Sequence, residues 1–253
     1  MVYGIIGDIH SNLESTIAVI EELNRRGVDK IICTGDIVGY GANPNECCKL
    51  VKEIAEYVVM GNHDGGVVGV TELSKFSPDA KQSCMWTRKV ISHENIAWLK
   101  TLPLYREVHL TLKTNSALIV HSTLSNPCAW GYINNLGDAI KEFEQRDASQ
   151  EFEICFVGHS HKPIVFMEYK GKYSERIQLN QQLKITNGAR YIINPGSVGQ
   201  PRDGDPRAAF MIYDTDKKIV DTIRIPYDII SAQKKILEAG LSSSLADRLC
   251  LGI

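Results

Sequence analysis

The chain contains 253 residues, of which 43% are hydrophobic and 23% are charged, a composition typical of globular proteins and far from that of disordered or membrane-embedded chains. Its 28 basic and 30 acidic side chains give a formal net charge of −2, which provides no overall field for binding nucleic acid or anionic lipid. Because no linker, repeat or low-complexity tract divides it, we expect residues 1–253 to form one domain.

The first sixty residues alternate between predicted strands and helices. Residues 2–6 are a short apolar run typical of a buried strand, and apolar residues then recur at helical spacing from Leu13 to Leu23, with Gly27 as the helix stop. The following segments predict a strand over residues 30–34, a helix over 45–56 entered through Pro44, and a strand over 57–60. Strands that alternate with helices indicate a parallel sheet.

The rest of the chain is predicted to contain mainly strands. Residues 65–103 are interpreted as a helical flank or lid, and residues 138–144 as a further helix. The predicted strands are residues 108–112, 117–120, 154–157, 164–169, 191–193, 208–213 and 219–225. This many strands, parallel early and hairpin-like late, favours an α/β fold of two packed sheets with helices outside.

Several features predict a cytoplasmic protein. The longest apolar run, residues 208–213, is too short for a membrane span, and Asp8, a candidate active-site residue, leaves no room for a signal peptide before it. The seven cysteines are an odd number without a C-x-x-C motif, which fits a reducing compartment. We interpret the adjacent Cys47 and Cys48 as ordinary helix residues; a redox pair is the alternative.

Polar motifs follow five of the predicted strands. They are GDIH at 7–10, GDIVGYG at 35–41, GNHD at 61–64, VHS at 120–122 and GHSH at 158–161. Loops at the carboxyl ends of parallel strands project toward one edge of a sheet, so we expect the motifs to converge. Residues two apart, such as His159 and His161, would point to one side in a locally extended chain. Glycines at 7, 35, 61 and 158 would let the backbone turn sharply.

The converging side chains are of metal-ligand type. The seven candidates are Asp8, His10, Asp36, Asn62, His121, His159 and His161. Carboxylates, imidazoles and an amide without a thiolate suit Mn²⁺, Fe or Zn²⁺. Seven ligands are too many for one tetrahedral ion but suit two ions that share a carboxylate, and such a pair can hold a hydroxide and clamp a phosphoryl group. The set therefore indicates phosphoester hydrolysis, whereas His93 and His109 lie outside every motif and are interpreted as ordinary residues.

These motifs, in this order, resemble those of the calcineurin-like metallophosphoesterase superfamily. Residues 193–210 also resemble a stretch of its small bacterial and archaeal members, the phosphodiesterase and diadenosine-tetraphosphatase-like branch. The resemblance implies a four-layer α/β/β/α sandwich with two mixed sheets. It implies one metal on Asp8, His10 and His161, a second on Asn62, His121 and His159, and Asp36 as the bridge. It also implies that His63 faces the scissile phosphate, where it protonates the leaving oxygen or stabilises transition-state charge, while Asp64 supports the loop.

Two departures separate this chain from the protein serine/threonine phosphatases of the superfamily. Those enzymes have G-D-x-V-D-R-G at the second motif and an arginine before G-N-H-E, whereas this chain has Gly39-Tyr40-Gly41 and Met60 at these places. Both phosphate-binding arginines are therefore absent, and so is the aspartate that often pairs with the histidine equivalent to His63. Arg202 and Arg207 are candidate replacements, because a guanidinium binds phosphate oxygens bidentately. The alternative is that they pair with Asp203 or Asp205 on a solvated turn.

The sequence thus predicts a two-metal hydrolase of phosphodiester, phosphomonoester or nucleotide phosphoanhydride bonds that uses a metal-bridging hydroxide. Manganese is the favoured metal, with Fe, Zn, Ni and Mg open. The expected partner is a small phosphorylated substrate such as a nucleotide; a nucleic acid is disfavoured because no basic strip is visible, and no membrane partner or oligomeric state is indicated. The alternatives are a non-catalytic interaction scaffold on the same fold and, among enzymes, a protein phosphatase.

Overall fold

The computed structural model describes residues 1–110, 116–144, 152–176 and 182–253, and these residues form two packed six-stranded sheets flanked by helices. The strands are β1 (Val2–Ile6), β2 (Lys30–Cys33), β3 (Ala55–Val58), β4 (Tyr105–His109), β5 (Ser116–Val120), β6 (Ile154–Phe156), β7 (Pro163–Tyr169), β8 (Lys172–Arg176), β9 (Leu183–Lys184), β10 (Arg190–Pro195), β11 (Ala208–Asp214) and β12 (Ile219–Ile225). The helices are α1 (Leu13–Arg25), α2 (Pro44–Ile54), α3 (Asn62–Val68), α4 (Pro78–Val90), α5 (His93–Thr101), α6 (Leu136–Glu144), α7 (Ile229–Glu238) and α8 (Ser243–Leu251).

Both sheets are mixed. The first has the order β3-β2-β1-β11-β12-β9, with β1, β2 and β3 parallel and the later strands antiparallel. The second has the order β4-β5-β6-β10-β7-β8, with β5, β6 and β10 parallel. In each sheet the early parallel strands lie together, so their carboxyl ends share one edge.

The alternation of side chains along each strand produces the layers. Tyr3 and Ile5 of β1 lie in the apolar cluster between the two sheets, where they join Phe156 of the second sheet, whereas Ile6 points to the cluster beneath the helices of the first sheet. A third cluster joins the second sheet to Phe143 of α6. The result is the expected four-layer α/β/β/α sandwich.

Most predicted strands overlap observed ones, and the main differences lie near residues 55 and 105. The strand predicted at 57–60 is observed as β3, which ends at Val58. The second predicted helix was extended over residues 55 and 56, which instead begin β3, because pairing with β2 outweighs the helix propensity of alanine and glutamate. The strand expected at 108–112 begins at Tyr105 and ends at His109; residues 111 and 112 lie outside the described part of the chain.

Strands β8 and β9 and helices α7 and α8 were not predicted, and α3 begins at Asn62, before the helical flank predicted from residue 65. Helix α3 contains the pair Gly65-Gly66, a poor helix former, and is held by its packing against α4 and α5. Helices α7 and α8 pack on each other and on Tyr40 and Ala80 through an apolar cluster of their own. Within the described ranges, no helix combines the length and apolar character needed to span a bilayer.

Candidate metal centre

The five motifs meet at one edge of the two sheets, where the parallel strands end. Asp8 and His10 follow β1, Asp36 follows β2, Asn62 and His63 follow β3, His121 follows β5, and His159 and His161 follow β6. All eight side chains are buried. The structure therefore brings together every residue that the sequence analysis proposed as a metal ligand, together with the histidine proposed as an acid.

The loops that carry these residues have an unusual backbone. Asp8, His10, Asp36, His159 and His161 all have positive φ values, of 48°, 49°, 53°, 70° and 58°. The paired histidines and aspartates are thus not in extended chain, as expected from the sequence, but in the left-handed region, which costs about 1–2 kcal/mol per non-glycine residue. Main-chain hydrogen bonds between the first two loops, such as Asp8 N to Gly35 O (3.0 Å), hold this conformation. Strain of this kind concentrates at functional sites.

Glycines serve the centre mainly by leaving space. Of the four motif glycines, only Gly35 has a positive φ (97°), so the expected sharp turn is found there alone among them. A Cβ atom at Gly61 would lie 2.0 Å from Asp36 Oδ1, and one at Gly158 would lie 2.8 Å from Asp8 Oδ2. These two glycines therefore make room for the carboxylates.

His10 and His161 face each other with their Nε2 atoms 3.1 Å apart. Nδ1 of His10 lies 3.2 Å from Val38 O, and Nδ1 of His161 lies 2.6 Å from Gln200 O. Because a carbonyl can only accept, each Nδ1 carries the proton and each Nε2 presents a lone pair. Burial lowers the pKa of both imidazoles well below the usual range, so both are neutral.

Two lone pairs at this distance repel each other unless a cation lies between them. Asp8 adds a carboxylate oxygen 3.3 Å from His161 Nε2 and 4.0 Å from His10 Nε2. The separation of 3.1 Å is short enough for both nitrogens to bind one ion at about 2.1 Å. Asp8, His10 and His161 therefore fit a metal ion, as their clustered donor atoms indicate.

A second group of donors surrounds His121. Its Nδ1 lies 2.8 Å from Thr34 O, while its Nε2 lies 3.2 Å from both Asp36 Oδ2 and Asn62 Oδ1. His159 uses the opposite nitrogen, because its Nε2 lies 3.0 Å from Trp130 O, which leaves Nδ1 for the cluster with Asp36 and His121. Against the effect of burial, the charge and hydrogen bond of Asp36 raise the pKa of His121 to about 9. A proton or a metal ion is thus required at His121 Nε2.

Asp36 lies between the two groups. Its Oδ2 is 3.6 Å from His10 Nε2 and 3.2 Å from His121 Nε2, and its Oδ1 accepts a hydrogen bond from His63 N (2.8 Å). Burial alone would raise its pKa, but the charge and hydrogen bond of His121 hold it below the usual range. Burial raises the pKa of Asp8 to about 7, with the charge of Asp36 adding to the effect. The carboxylate of Asp36 is therefore placed to contact ions on either side.

His63 has no carboxylate partner among the described residues. Its ring contacts Tyr40, His10 and Phe76, and its Nδ1 lies 3.5 Å from Cys84 Sγ of α4. A Cβ atom at Gly39 would lie 2.4 Å from Nδ1, so a side chain at that position would collide with the ring. Burial raises the pKa of the Cys84 thiol and lowers the pKa of His63 to about 4, so both groups are neutral. A ring nitrogen of His63 also lies within 4.8 Å of donor atoms of His10 and Asp36.

Asp64 supports the loops, as the family resemblance implied. Its Oδ1 accepts hydrogen bonds from Ile37 N (2.9 Å) and Val38 N (3.1 Å), and its Oδ2 accepts one from Gly61 N (2.9 Å). One buried side chain thus joins the second and third motifs and fixes the position of the peptide that precedes Asn62.

An open cleft of about 410 Å³ leads to the centre. Asp36, Asn62, His63, His159 and His161 form part of its lining, and the other lining residues include Tyr40, Phe76, Trp130, Tyr132, Lys75, Arg202 and Arg248. Arg202 therefore lies beside the candidate centre, whereas Arg207 is exposed, does not line the cleft and forms an ion pair with Asp205 at 2.6 Å. The sequence analysis missed the aromatic residues and Arg248; only Tyr40, within the second motif, carried a positional signal.

Comparisons with known proteins agree with this arrangement. The model of the calcineurin-like phosphoesterase superfamily domain matches residues 1–218. An uncharacterised protein of Methanocaldococcus jannaschii is 40% identical over 98% of this chain and 97% of its own length. A metallophosphoesterase crystal structure from Sphaerobacter thermophilus covers 100% of this chain and 99% of its own, with a TM-score of 0.85 and 37% identity. A hypothetical protein from Pyrococcus horikoshii shares the fold, with a TM-score of 0.77, 20% identity and coverage of 100% and 98% of the two chains.

The role of Asp64 can be tested by unfolding. Replacement by alanine leaves three buried N–H groups without an acceptor, so we expect Asp64→Ala to lower the free energy of unfolding by about 3 kcal/mol. Asp64→Asn retains one oxygen acceptor and should lose roughly half as much. Urea unfolding in the presence of a chelator measures both. An Asp64→Ala protein within about 0.5 kcal/mol of the parent would contradict the assignment.

Proposed function

This chain belongs to the calcineurin-like phosphoesterase superfamily, and we propose that it is a two-metal hydrolase of phosphodiester, phosphomonoester or nucleotide phosphoanhydride bonds. The observation that carries the proposal is the pair of donor clusters joined by the Asp36 carboxylate. Each cluster has imidazole lone pairs held toward a common point by hydrogen bonds on the opposite ring nitrogen.

Asp8, His10 and His161 are assigned to one ion, Asn62, His121 and His159 to the other, and Asp36 to both. When bound, the two ions would supply the hydroxide nucleophile and neutralise charge on the phosphoryl oxygens. Hard oxygen donors mixed with imidazoles favour Mn²⁺, although Fe, Zn, Ni and Mg suit the same donor types. The free thiols of Cys33, Cys47, Cys48, Cys84, Cys128 and Cys250 support the proposal of a reducing, cytoplasmic location.

His63 is assigned to the leaving group. It lines the cleft beside the donor clusters, and its main-chain N–H is fixed on Asp36 Oδ1. We assign the neutral thiol of Cys84 as the donor to Nδ1, which places the ring proton on Nε2, from which it can donate a hydrogen bond to the departing oxygen and stabilise its charge. Cys84 thereby takes the position of a hydrogen-bond partner that the absent carboxylate would fill, without its charge.

Arg202 is assigned to substrate binding. Its guanidinium lies in the cleft, bonds the neutral Gln200 side chain at 2.8 Å and lies 5.6 Å from the ring centre of Tyr40. Arg207 is left out of the proposed site because Asp205 neutralises it.

The two alternatives have less support. A non-catalytic scaffold has no need for five strained ligand residues or for buried imidazoles with fixed tautomers, both of which this chain retains. A protein phosphatase would have arginines at the places that Tyr40 and Met60 occupy, and Met60 is buried. We therefore favour a small phosphorylated substrate that enters the cleft.

Metal affinity should increase with pH. In the metal-free protein His121, with a pKa of about 9, is protonated throughout the neutral range, and Asp8, with a pKa of about 7, is protonated below neutrality. A metal ion must displace these protons, so Mn²⁺ affinity should rise roughly tenfold per pH unit above pH 7 and more steeply below it. Isothermal titration at pH 6, 7 and 8 measures this, with His109→Ala, an exposed histidine outside the centre, as the control. A pH-independent affinity would contradict the donor assignment.

Activity should depend on the centre and on His63 in separable ways. The Mn²⁺-loaded protein should hydrolyse p-nitrophenyl phosphate or bis-p-nitrophenyl phosphate. Asp36→Asn should lose bound metal and turnover together, whereas His63→Ala should retain metal and lose roughly 10²–10⁴-fold in kcat. Metal content by mass spectrometry distinguishes the two. Absence of turnover with Mn, Fe, Zn, Ni and Mg would refute the proposed function.

The thiol of Cys84 should act through His63. Cys84→Ala removes the donor to Nδ1 and should lower kcat roughly tenfold with little change in KM, while Cys84→Ser, which keeps a donor, should restore most of the rate. Cys48→Ala, a change at another buried cysteine, is the matched control. Equal kcat values for the alanine and serine variants would show that Cys84 does not position His63.

A further inference from the structure

Two arginines in the cleft lack acidic partners. Within the described residues, Arg207 and Arg224 of the neighbouring segments pair with Asp205 and Asp203, but neither Arg202 nor Arg248 forms an ion pair. Both line the cleft that opens from the donor clusters. Arg207 and Arg224, outside the cleft, are thus paired with aspartates, whereas Arg202 and Arg248, inside it, have no acidic side-chain partner.

Arg248 is held in place by the C-terminal helices. Leu245 and Leu249 of α8 pack in the cluster that contains Tyr40 and Ala80, which fixes one face of the helix against the cleft wall. The end of α8 is joined to the Arg202 loop, because Gly204 N donates to Gly252 O at 2.9 Å. A Cβ at Gly252 would lie 2.7 Å from the main chain of Asp205, so the approach is close. Both arginines are therefore carried by segments that are fastened together.

Neither arginine bonds an acidic side chain. Arg202 donates to Gln200 Oε1, and Arg248 donates from Nε to the main-chain oxygen of Ile253. Burial and the charge of Arg202 lower the pKa of Arg248, while Tyr40 and Asp79 oppose this. Asp79 forms no ion pair with Arg248 in the described part of the chain, and its Oδ2 accepts a hydrogen bond from Ser244.

The remainder of the cleft adds no compensating acid at this end. Its acidic lining residues are Asp36, which the histidines engage, and Glu72, which lies on the rim and accepts a hydrogen bond from Ser74. Lys75 adds a further cation to the lining. Two half-buried guanidinium groups that repel each other are stabilised by an anion, and phosphate oxygens match their fork of donors.

We propose that Arg202 and Arg248 form a second phosphate subsite beside the metal centre, so that the substrate carries two phosphate groups, one at the metals and one at the arginines. This inference rests on the proposed function for the first of these groups. It narrows the substrate class from phosphoesters in general to phosphoanhydrides or bisphosphates. Arg248, on a helix beyond the residues that match the superfamily model, is the residue that distinguishes such substrates from monophosphates.

Equilibrium binding tests the subsite independently of turnover. AMP, α,β-methylene-ADP and adenosine 3′,5′-bisphosphate are titrated into protein at fixed free Mn²⁺, in the His63→Ala background so that AMP is not consumed. The three ligands share one nucleoside and differ in the number and placement of phosphates. The variants are Arg248→Gln, which removes the charge, and Arg207→Gln as the matched control, since Arg207 is paired outside the cleft.

We expect at least one two-phosphate ligand to bind the Arg248-containing protein more tightly than AMP does. Arg248→Gln should weaken that ligand about ten- to hundredfold and change AMP less than about twofold, while Arg207→Gln changes neither. If α,β-methylene-ADP is the ligand weakened, the two phosphates of the substrate are consecutive; if adenosine 3′,5′-bisphosphate is weakened, they are attached at separate positions. Equal losses for all three ligands, or no preference over AMP, would overturn the subsite.

Two further measurements keep the result interpretable. Arg248→Lys retains the charge and should recover part of the affinity for two-phosphate ligands. If thermal unfolding shows that Arg248→Gln is destabilised, Arg248→Lys is compared with the wild-type protein instead. Wild-type protein that binds two-phosphate ligands selectively without hydrolysing any phosphoester would refute the proposed function and leave the subsite standing, whereas turnover without selectivity would do the reverse.

Discussion

The buried carboxylate of Asp36 is the group on which the rest of the site depends. It lies within 3.6 Å of imidazole nitrogens from two other loops and accepts the main-chain N–H of His63. Removing a carboxylate from water is costly unless positive charge or hydrogen bonds replace the water. Asp36 has both, so its ionisation and the positions of the surrounding histidines are coupled. The centre is therefore a single electrostatic unit rather than a set of independent ligands.

The fold supports that unit by tolerating strain at the loops and by leaving space beside the carboxylates. Left-handed backbone at five ligand residues is unfavourable locally, and it persists because a paired strand fixes the start of each loop and main-chain hydrogen bonds, such as His10 N to Asp36 O, join the first two loops. The absence of side chains at Gly61 and Gly158 lets the third and fifth motifs approach the carboxylates of Asp36 and Asp8. Packing between the sheets thus sets the geometry that the metal chemistry needs.

Much of this centre was predictable from sequence because strand ends and polar motifs are local signals. Residues that follow apolar runs and belong to recognisable motifs were placed correctly at one edge. Cys84 and Arg248 were not predictable, since each is an ordinary helix residue whose role arises from contact with distant segments. The different roles of Arg202 and Arg207 were not predictable either, because both lie on one loop and only the structure shows that Arg207 pairs with Asp205.

The candidate metal ligands and the helices that contribute Arg248 to the cleft lie in different parts of the chain. The metal donors and His63 fall within residues 1–218, the part that matches the superfamily, whereas α7 and α8 lie beyond it and contribute Arg248 to the cleft. The donor set determines the proposed reaction, because lone-pair geometry tolerates little change. A helix pair packed against Tyr40 can vary without disturbing that geometry, since it contacts the wall of the cleft and not the donors themselves. Under the proposed function, selection among phosphorylated substrates by this C-terminal helix pair would be separate from the chemistry at the strand ends.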